Sequence, residues 1–210
     1  NLPINCVNWK QAQQFAAFAG ARLPTEAEWE YVASSLDDRL YPWGNEDPSC
    51  EFSVLSSCSD APQPVCSSED VPRDNVLGRQ LFPICDLAGN ISEWVEDNYS
   101  LNYAANPTDG SAFTTTHRIL KNYRVLRGGA WFTPLYHLKV TDRFSRIFLY
   151  QTPDLGIRLA KTSLCGNDVI NDDEECDDGN LVDGDGCDSN CTITGCNNGI
   201  VNQDFDQDGI

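Results

Sequence analysis

The sequence lacks any apolar run that approaches the roughly 18 residues needed to span a bilayer, so no transmembrane helix is predicted in these 210 residues. Basic side chains are missing from one long region: residues 162–210 contain 13 acidic residues and neither lysine nor arginine. That charge argues against nucleic acid and anionic membranes as partners, and it favours divalent cations. The alternative is an acidic tail that only keeps the chain soluble.

Cysteine pairs separated by two residues are absent, which weakens an interpretation as a zinc site or a thioredoxin-like redox motif. Ten cysteines are nevertheless present, and they predict disulfides in an oxidising compartment, hence a secreted or cell-surface protein. Residues 46–80 have the composition of a long loop, which a disulfide cross-link would stabilise. A disulfide is predicted within the trio Cys50, Cys58 and Cys66. The first domain, residues 1–161, holds five cysteines, so at least one is free or pairs outside it.

Signatures of catalysis are scarce as well. The sequence contains no serine-hydrolase elbow, no glycine-rich phosphate loop and no HExxH motif. The two histidines, His117 and His137, are isolated in sequence, and an isolated histidine is more often a surface or core residue than a ligand. Acid–base chemistry by paired carboxylates stays open, because 32 acidic residues permit many pairings.

Two short helices are predicted near the N-terminus. Residues 5–20 place apolar side chains three and four apart, with Asn8 as the N-cap and a glycine at the end. A second helix starts at Thr25, which has capping-box spacing with Glu28. Both helices are interpreted as structural.

Residues 124–160 form an irregular stretch that opens on Gly128-Gly129 and closes on the sequence GIRLA. Long irregular segments in compact domains are usually functional or disordered, and this one has too many large apolar residues to be disordered. Aromatic and basic side chains on a rigid scaffold favour a ligand surface. The predicted surface comprises Trp131, Phe132, Tyr136, Lys139, Arg143, Arg146, Phe148 and Tyr150. For each aromatic residue, packing in the core is the alternative.

A second informative stretch is DLAGNISEW, residues 86–94. The carboxylates of Asp86 and Glu93, with the backbone carbonyls of Gly89 and Ile91, could surround a glycine turn. Ligation by oxygen alone suits calcium. Acidic residues near turns are common, so this pattern by itself is weak.

The motifs RLPTEAEWEY, YPWG, DLAGNISEW, RVLRGGAW and GIRLA, in this order and spacing, resemble the formylglycine-generating enzyme (sulfatase-modifying factor) family over residues 3–161. The resemblance implies an α+β, loop-rich fold akin to C-type lectins, with little regular secondary structure. It also implies calcium at Asp86, Gly89, Ile91 and Glu93.

The enzymes of that family bind copper(I) through two cysteines after the Gly-Gly turn, and soft thiolates suit this metal. The matching positions here are about Leu135 and Val140, and residues 86–164 contain no cysteine. A tryptophan usual in the family is replaced by Ser92. No copper and no catalytic residue are therefore expected, which predicts a pseudoenzyme that binds an extracellular protein or glycan. The alternatives are a formylglycine-generating-type oxidoreductase acting on a sulfatase cysteine, and a structural module without a ligand.

The tail resembles the Asp- and Cys-rich CDDGN…GDGC repeats of surface proteins in myxobacteria and related bacteria. Residues 162–195 form one predicted repeat, and residues 196–210 begin a second at an offset of 31 residues. Four cysteines are expected to pair among themselves: Cys165, Cys176, Cys187 and Cys191. The last residues carry a partial calcium loop: Asp204, Asp206 and Asp208. Because the chain starts at Asn1 without a leader and ends inside this motif, it is expected to be a fragment.

Overall fold

The computed structural model divides the chain into two units, residues 1–160 and 161–210. It describes residues 1–34, 38–67, 84–161, 170, 175–179, 186–187 and 191–193. Of the predicted tail features, Cys165 and the calcium-loop residues Asp204, Asp206 and Asp208 lie outside the described residues, as does all of 196–210.

The two N-terminal helices begin where their capping residues predict. Helix α1 is Trp9–Phe18, and the Asn8 side chain accepts from the Gln11 backbone N–H in a capping box. Helix α2 is Glu26–Ser34. At its start the Glu28 N–H donates a hydrogen bond to the Thr25 hydroxyl at 3.1 Å, and the Thr25 N–H donates one to the Glu28 carboxylate at 2.9 Å. Each pair satisfies backbone donors that a helix start leaves open.

A four-stranded sheet lies in the first unit, with strands β1 (Ser92–Asn98), β2 (Tyr123–Arg127), β3 (Phe144–Ile147) and β4 (Leu155–Ile157). The strand order is β3-β2-β1-β4. Strand β1 pairs antiparallel with β2 and parallel with β4, and β2 pairs antiparallel with β3. The described residues thus form a mixed α+β fold with one small sheet and few helices, as predicted, while the likeness to C-type lectins stays a prediction.

The alternation of side chains along β1 separates two parts of the core. Trp94 packs with Trp9 and Ala12 of α1. Val95, on the opposite face, packs with Trp29 of α2. Both faces of the central strand are therefore buried. A third cluster joins the loop after α2 to the irregular segment: Tyr41, Leu55, Ala88 and Leu138.

Disulfides staple the long loop between α2 and β1. Cys50–Cys58 confirms the bridge predicted within the trio, with Cα atoms 5.7 Å apart. Cys66 instead bonds Cys85, with Cα atoms 5.1 Å apart, so its partner lies outside the trio. Cys6 is exposed and free. The odd count of cysteines in the first domain is thereby explained.

The second unit contains one described pairing of the four tail cysteines, Cys176–Cys187. Cys191 is also disulfide-bonded. The Cys187 N–H donates to the Asp178 carboxylate at 3.0 Å, and Cys187 forms an isolated bridge with Ile193.

Among the described residues, every helix is too short and too polar to cross a bilayer.

Candidate binding site

The Gly128-Gly129 turn brings the following segment close to the backbone. Gly129 has φ +66°, and a Cβ atom there would lie 3.0 Å from both the His137 carbonyl oxygen and the Thr133 hydroxyl. The Thr133 hydroxyl accepts from the Ala130 N–H at 3.0 Å and donates to the Ala130 carbonyl at 2.9 Å. A glycine is required at position 129 because other residues rarely adopt this conformation and the space is filled.

A cleft of about 410 Å³ opens beside this turn. Its floor includes the starts of β1 and β4, at Ser92 and Leu155, and its walls come from β3 and the segments flanking it. The volume is in the range of sites for small ligands. The lining combines aromatic rings, a guanidinium group, carboxylates, an imidazole and hydroxyls. In that order they belong to Phe132, Phe144, Tyr150, Arg146, Asp142, Asp154, His137, Thr133 and Thr152.

A series of ring and cation contacts, which we call the ladder, runs along one wall of the cleft and ends outside it at Tyr136. Its members are Tyr136, His137, Phe144, Arg146 and Tyr150. The Tyr136 and His137 ring centroids are 4.3 Å apart, and those of His137 and Phe144 are 5.4 Å apart. The Arg146 guanidinium carbon lies 4.2 Å from the Phe144 centroid and 5.2 Å from the Tyr150 centroid. Guanidinium–ring contacts of this kind are attractive and hold the cation in place.

His137 is oriented by a carboxylate. Its ring Nδ1 lies 2.7 Å from Oδ2 of Asp142, and its backbone N–H donates to the Pro134 carbonyl at 2.9 Å. The contact fixes the orientation of the imidazole ring relative to the cleft. The Asp142 carbonyl in turn accepts from Nη1 of the buried Arg127 at 2.5 Å. The pair is therefore anchored to strand β2.

Three of the eight predicted ligand-surface residues line the cleft: Phe132, Arg146 and Tyr150. Phe132 is 50% exposed and contacts Trp131 edge-on, with centroids 5.1 Å apart. Tyr136 is 57% exposed and touches the cleft through His137. Trp131 and Lys139 are partly buried and lie outside the lining.

Arg143 and Phe148 make structural contacts and are absent from the lining of the cleft, and their assignment to the ligand surface stays a prediction. Arg143 forms two hydrogen bonds to the Glu26 carboxylate, at 2.8 and 2.5 Å, and stacks on Tyr103. Burial would lower the pKa of Arg143, but the hydrogen bonds and charge of Glu26 raise it overall. Phe148 packs against the cluster around Trp9.

Sequence reasoning missed the His137–Asp142 pair and Asp154. The spacing of five residues between His137 and Asp142 fits no regular element, so no periodic pattern marks it. The pair forms because a short 3₁₀ turn, Leu135–Leu138, precedes a tight turn at Lys139. The one signal in the sequence is that a histidine and an aspartate occur within the same irregular segment.

The predicted calcium turn has its own geometry. Arg158 donates to both oxygens of Glu93, at 2.9 and 2.6 Å, and to the Cys85 carbonyl at 2.8 Å. The Trp29 indole also donates to Glu93, at 2.8 Å. Burial would lower the pKa of Arg158, but the charge and hydrogen bonds of Glu93 raise it overall. Oδ2 of Asp86 accepts from the Cys66 N–H at 2.8 Å.

The donors at this turn are of the type that calcium takes, but Glu93 already holds a cation. Calcium binding there requires Glu93 to share or leave Arg158. Within the part of the chain that the structure describes, no group of three or more His, Cys, Asp or Glu side chains is arranged to hold a metal ion. The calcium assignment to Asp86, Gly89, Ile91 and Glu93 stays a prediction.

Residues 1–163 match the family described as Sulfatase-modifying factor enzyme 1-like domain (FGE-sulfatase). The chain belongs to this family. Curated relatives within it include the formylglycine-generating enzyme of Streptomyces coelicolor, 36% identical over 62% of this chain and 42% of the relative. The inactive C-alpha-formylglycine-generating enzyme 2 of Bos taurus is 29% identical over 76% of this chain and 50% of the relative.

Other relatives of the FGE-sulfatase domain carry different names. The hercynine oxygenase of Mycobacterium tuberculosis is 30% identical over 61% of this chain and 29% of the relative. Among solved structures, PvdO from Pseudomonas aeruginosa has a TM-score of 0.61 at 23% identity, covering 75% of this chain and 61% of that one. That likeness shows the fold. This chain spans half or less of the length of these curated relatives.

Proposed function

We propose that the FGE-sulfatase domain of this chain is a binding or adhesion module whose ligand occupies the cleft beside the Gly128-Gly129 turn. The observation that carries the proposal is the ladder of rings and a cation along one wall of this cleft. The segment that builds the wall has no cysteine between residues 86 and 164. Rings held in a rigid cleft give a ligand large contact area at low cost in conformational entropy.

The proposed setting is a bacterial protein that is secreted or displayed on the surface. Disulfides in both units are compatible with an oxidising compartment. The Asp- and Cys-rich tail serves in this proposal as a disulfide-stapled stalk. An unknown extracellular protein or glycan is the ligand, and nucleic acid is not, because the chain carries a net charge of −18.

The binding proposal is tested by a glycan and peptide array probed with the purified chain. Phe132→Ala and Tyr150→Ala are each expected to weaken the dominant interaction about tenfold, as loss of an aromatic anchor of about 1.4 kcal/mol does. Phe18→Ala is the matched control, because Phe18 is 88% exposed at the end of α1 and outside the cleft. Absence of any binding above background contradicts the proposal and favours a structural module.

An oxidoreductase that modifies a sulfatase-type cysteine is the second candidate, since several relatives are named formylglycine-generating enzymes. Incubation with a CxPxR peptide, copper(I) and oxygen, followed by mass spectrometry, separates the two. We expect no loss of mass, because the segment after the Gly-Gly turn, residues 130–164, contains no cysteine to bind copper(I). The Streptomyces coelicolor relative serves as the positive control. Conversion of the cysteine to an aldehyde by this chain contradicts the binding proposal.

Calcium at the turn from Asp86 to Glu93 is a further part of the proposal. Its support is the oxygen-only donor set and the resemblance of DLAGNISEW, residues 86–94, to the matching stretch of the family. Its role is structural, because the turn leads directly into β1 and carries the Cys66–Cys85 disulfide. Copper is not expected.

A further inference from the structure

The cleft has a specific charge pattern, and we infer from it that the ligand is a carboxylate-bearing sugar, such as a hexuronic acid unit of a polysaccharide. This inference rests on the proposed binding function and names the ligand class of the same site. The pattern consists of one available cation, Arg146, two carboxylates, Asp142 and Asp154, and several ring faces.

Arg146 is the side chain proposed to bind the carboxylate of the ligand. It is held between Phe144 and Tyr150, and the described residues offer it no carboxylate partner. Its only hydrogen bond there is a 3.3 Å contact from Nη1 to the neighbouring Ser145 carbonyl. The planar guanidinium therefore keeps donors available for the two oxygens of a carboxylate.

The other arginines near the cleft are already used. Arg127 is fully buried and pairs with Glu30 and Glu26. Arg143 is bound by Glu26. A ligand carboxylate entering the cleft thus meets one uncompensated cation. The site matches a single acidic group.

The remaining polar groups include two carboxylates, which accept hydrogen bonds, beside the hydroxyls of Thr133 and Thr152. The carboxylates are those of Asp142, which also contacts Nδ1 of His137, and Asp154. A ligand with several hydroxyl donors satisfies them, and a second ligand carboxylate would face like charges. One carboxylate and several hydroxyls is the functional-group set of a hexuronic acid.

The ring faces fit the remaining surface of such a sugar. Phe132, Phe144 and Tyr150 are 50%, 40% and 39% exposed, so part of each residue is open to a ligand. A pyranose presents C–H groups on its faces and hydroxyls at its edge, which matches rings beside acceptors. An acidic peptide offers carboxylates without the hydroxyls and C–H faces of a sugar, so it leaves Asp142, Asp154 and the aromatic rings without partners.

The test compares tetragalacturonate with its fully methyl-esterified form by isothermal titration calorimetry, with tetraglutamate as the peptide probe. We expect tetragalacturonate to bind at least tenfold more tightly than the ester or the peptide. Arg146→Gln is expected to remove this preference for the acid. Arg146→Lys keeps the charge and is expected to retain only part of it, because the planar two-point contact is lost. Arg118→Gln, at an exposed position outside the cleft, is expected to change nothing.

The outcomes distinguish failure of the proposed ligand class from failure of the proposed binding function. Equal binding of acid and ester, or tighter binding of tetraglutamate, overturns the ligand class while the binding function stands. No binding to any of the three, with another array ligand bound through Phe132, also overturns the ligand class alone. An unchanged preference in a folded Arg146→Gln protein overturns the role of Arg146. If nothing on the array binds, the binding function itself fails.

Discussion

Replacing Glu26 with alanine is expected to lower the free energy of unfolding by about 3–5 kcal/mol, the usual cost of leaving buried charges without their partner. The Glu26 side chain is 3% exposed and receives two hydrogen bonds from Arg143. The Arg127 Nε lies 3.5 Å from the same carboxylate, and its side chain is fully buried. Urea denaturation of the disulfide-intact protein measures the loss.

Glu30→Ala is the matched control, since Glu30 pairs with Arg127 from a side chain that is 35% exposed. In this variant Glu26 remains beside Arg127 and still holds Arg143, so Glu30→Ala is expected to lose less than Glu26→Ala. Glu26→Gln keeps the shape of the side chain and removes the charge. Its loss in the free energy of unfolding is expected to be close to that of Glu26→Ala. Equal losses for the variants at 26 and 30 contradict a central role of the buried carboxylate.

The consequence of this network for the cleft is indirect. Glu26 and Glu30 hold Arg127, and Arg127 holds the Asp142 carbonyl at 2.5 Å. Asp142 then orients His137. A buried ion network on α2 thereby fixes the acceptors of a cleft formed by β2 and the irregular segment. We interpret Arg127 as a positioning residue, because its own charge is compensated.

The features that sequence reasoning predicted are those set by neighbours in the chain. Asn8 with Gln11 and Thr25 with Glu28 cap the helices through contacts three residues apart. The glycine turn at 129 follows from its backbone conformation alone. The bridge Cys50–Cys58 joins residues only 8 apart. Local chemistry decides each of these.

The features it missed depend on long-range contacts. Arg143 and Glu26 are 117 residues apart, and no pattern in the segment shows that a carboxylate on α2 takes this guanidinium away from the ligand surface. Arg146, three residues later, has no such partner among the residues that the structure describes, and it lines the cleft. The two arginines look alike in sequence, and the position of α2 decides between them.

Glu93→Ala is expected to cost about 3 kcal/mol, because it leaves Arg158 without the carboxylate that neutralises it. The Glu93 side chain is 6% exposed and the Arg158 side chain 25% exposed, so the loss lies at the lower end for a buried pair. Because Glu93 belongs both to the Arg158 pair and to the proposed calcium ligands, the loss is expected in chelator and is expected to be larger in calcium. Thermal and urea denaturation in both media measure it.

Asp86→Ala separates calcium from this ion pair. The hydrogen bond from Arg158 to Asp86 goes to the backbone carbonyl, at 3.3 Å, so replacing the Asp86 side chain leaves the pair of Arg158 with Glu93 in place. If calcium binds at the turn, the variant lowers the melting temperature more in calcium than in chelator, and this difference is the expected result. Asp47→Ala, at an exposed position, is expected to show no difference between the media. Equal shifts for Asp86→Ala in both media mean that Arg158 is the only cation the turn requires.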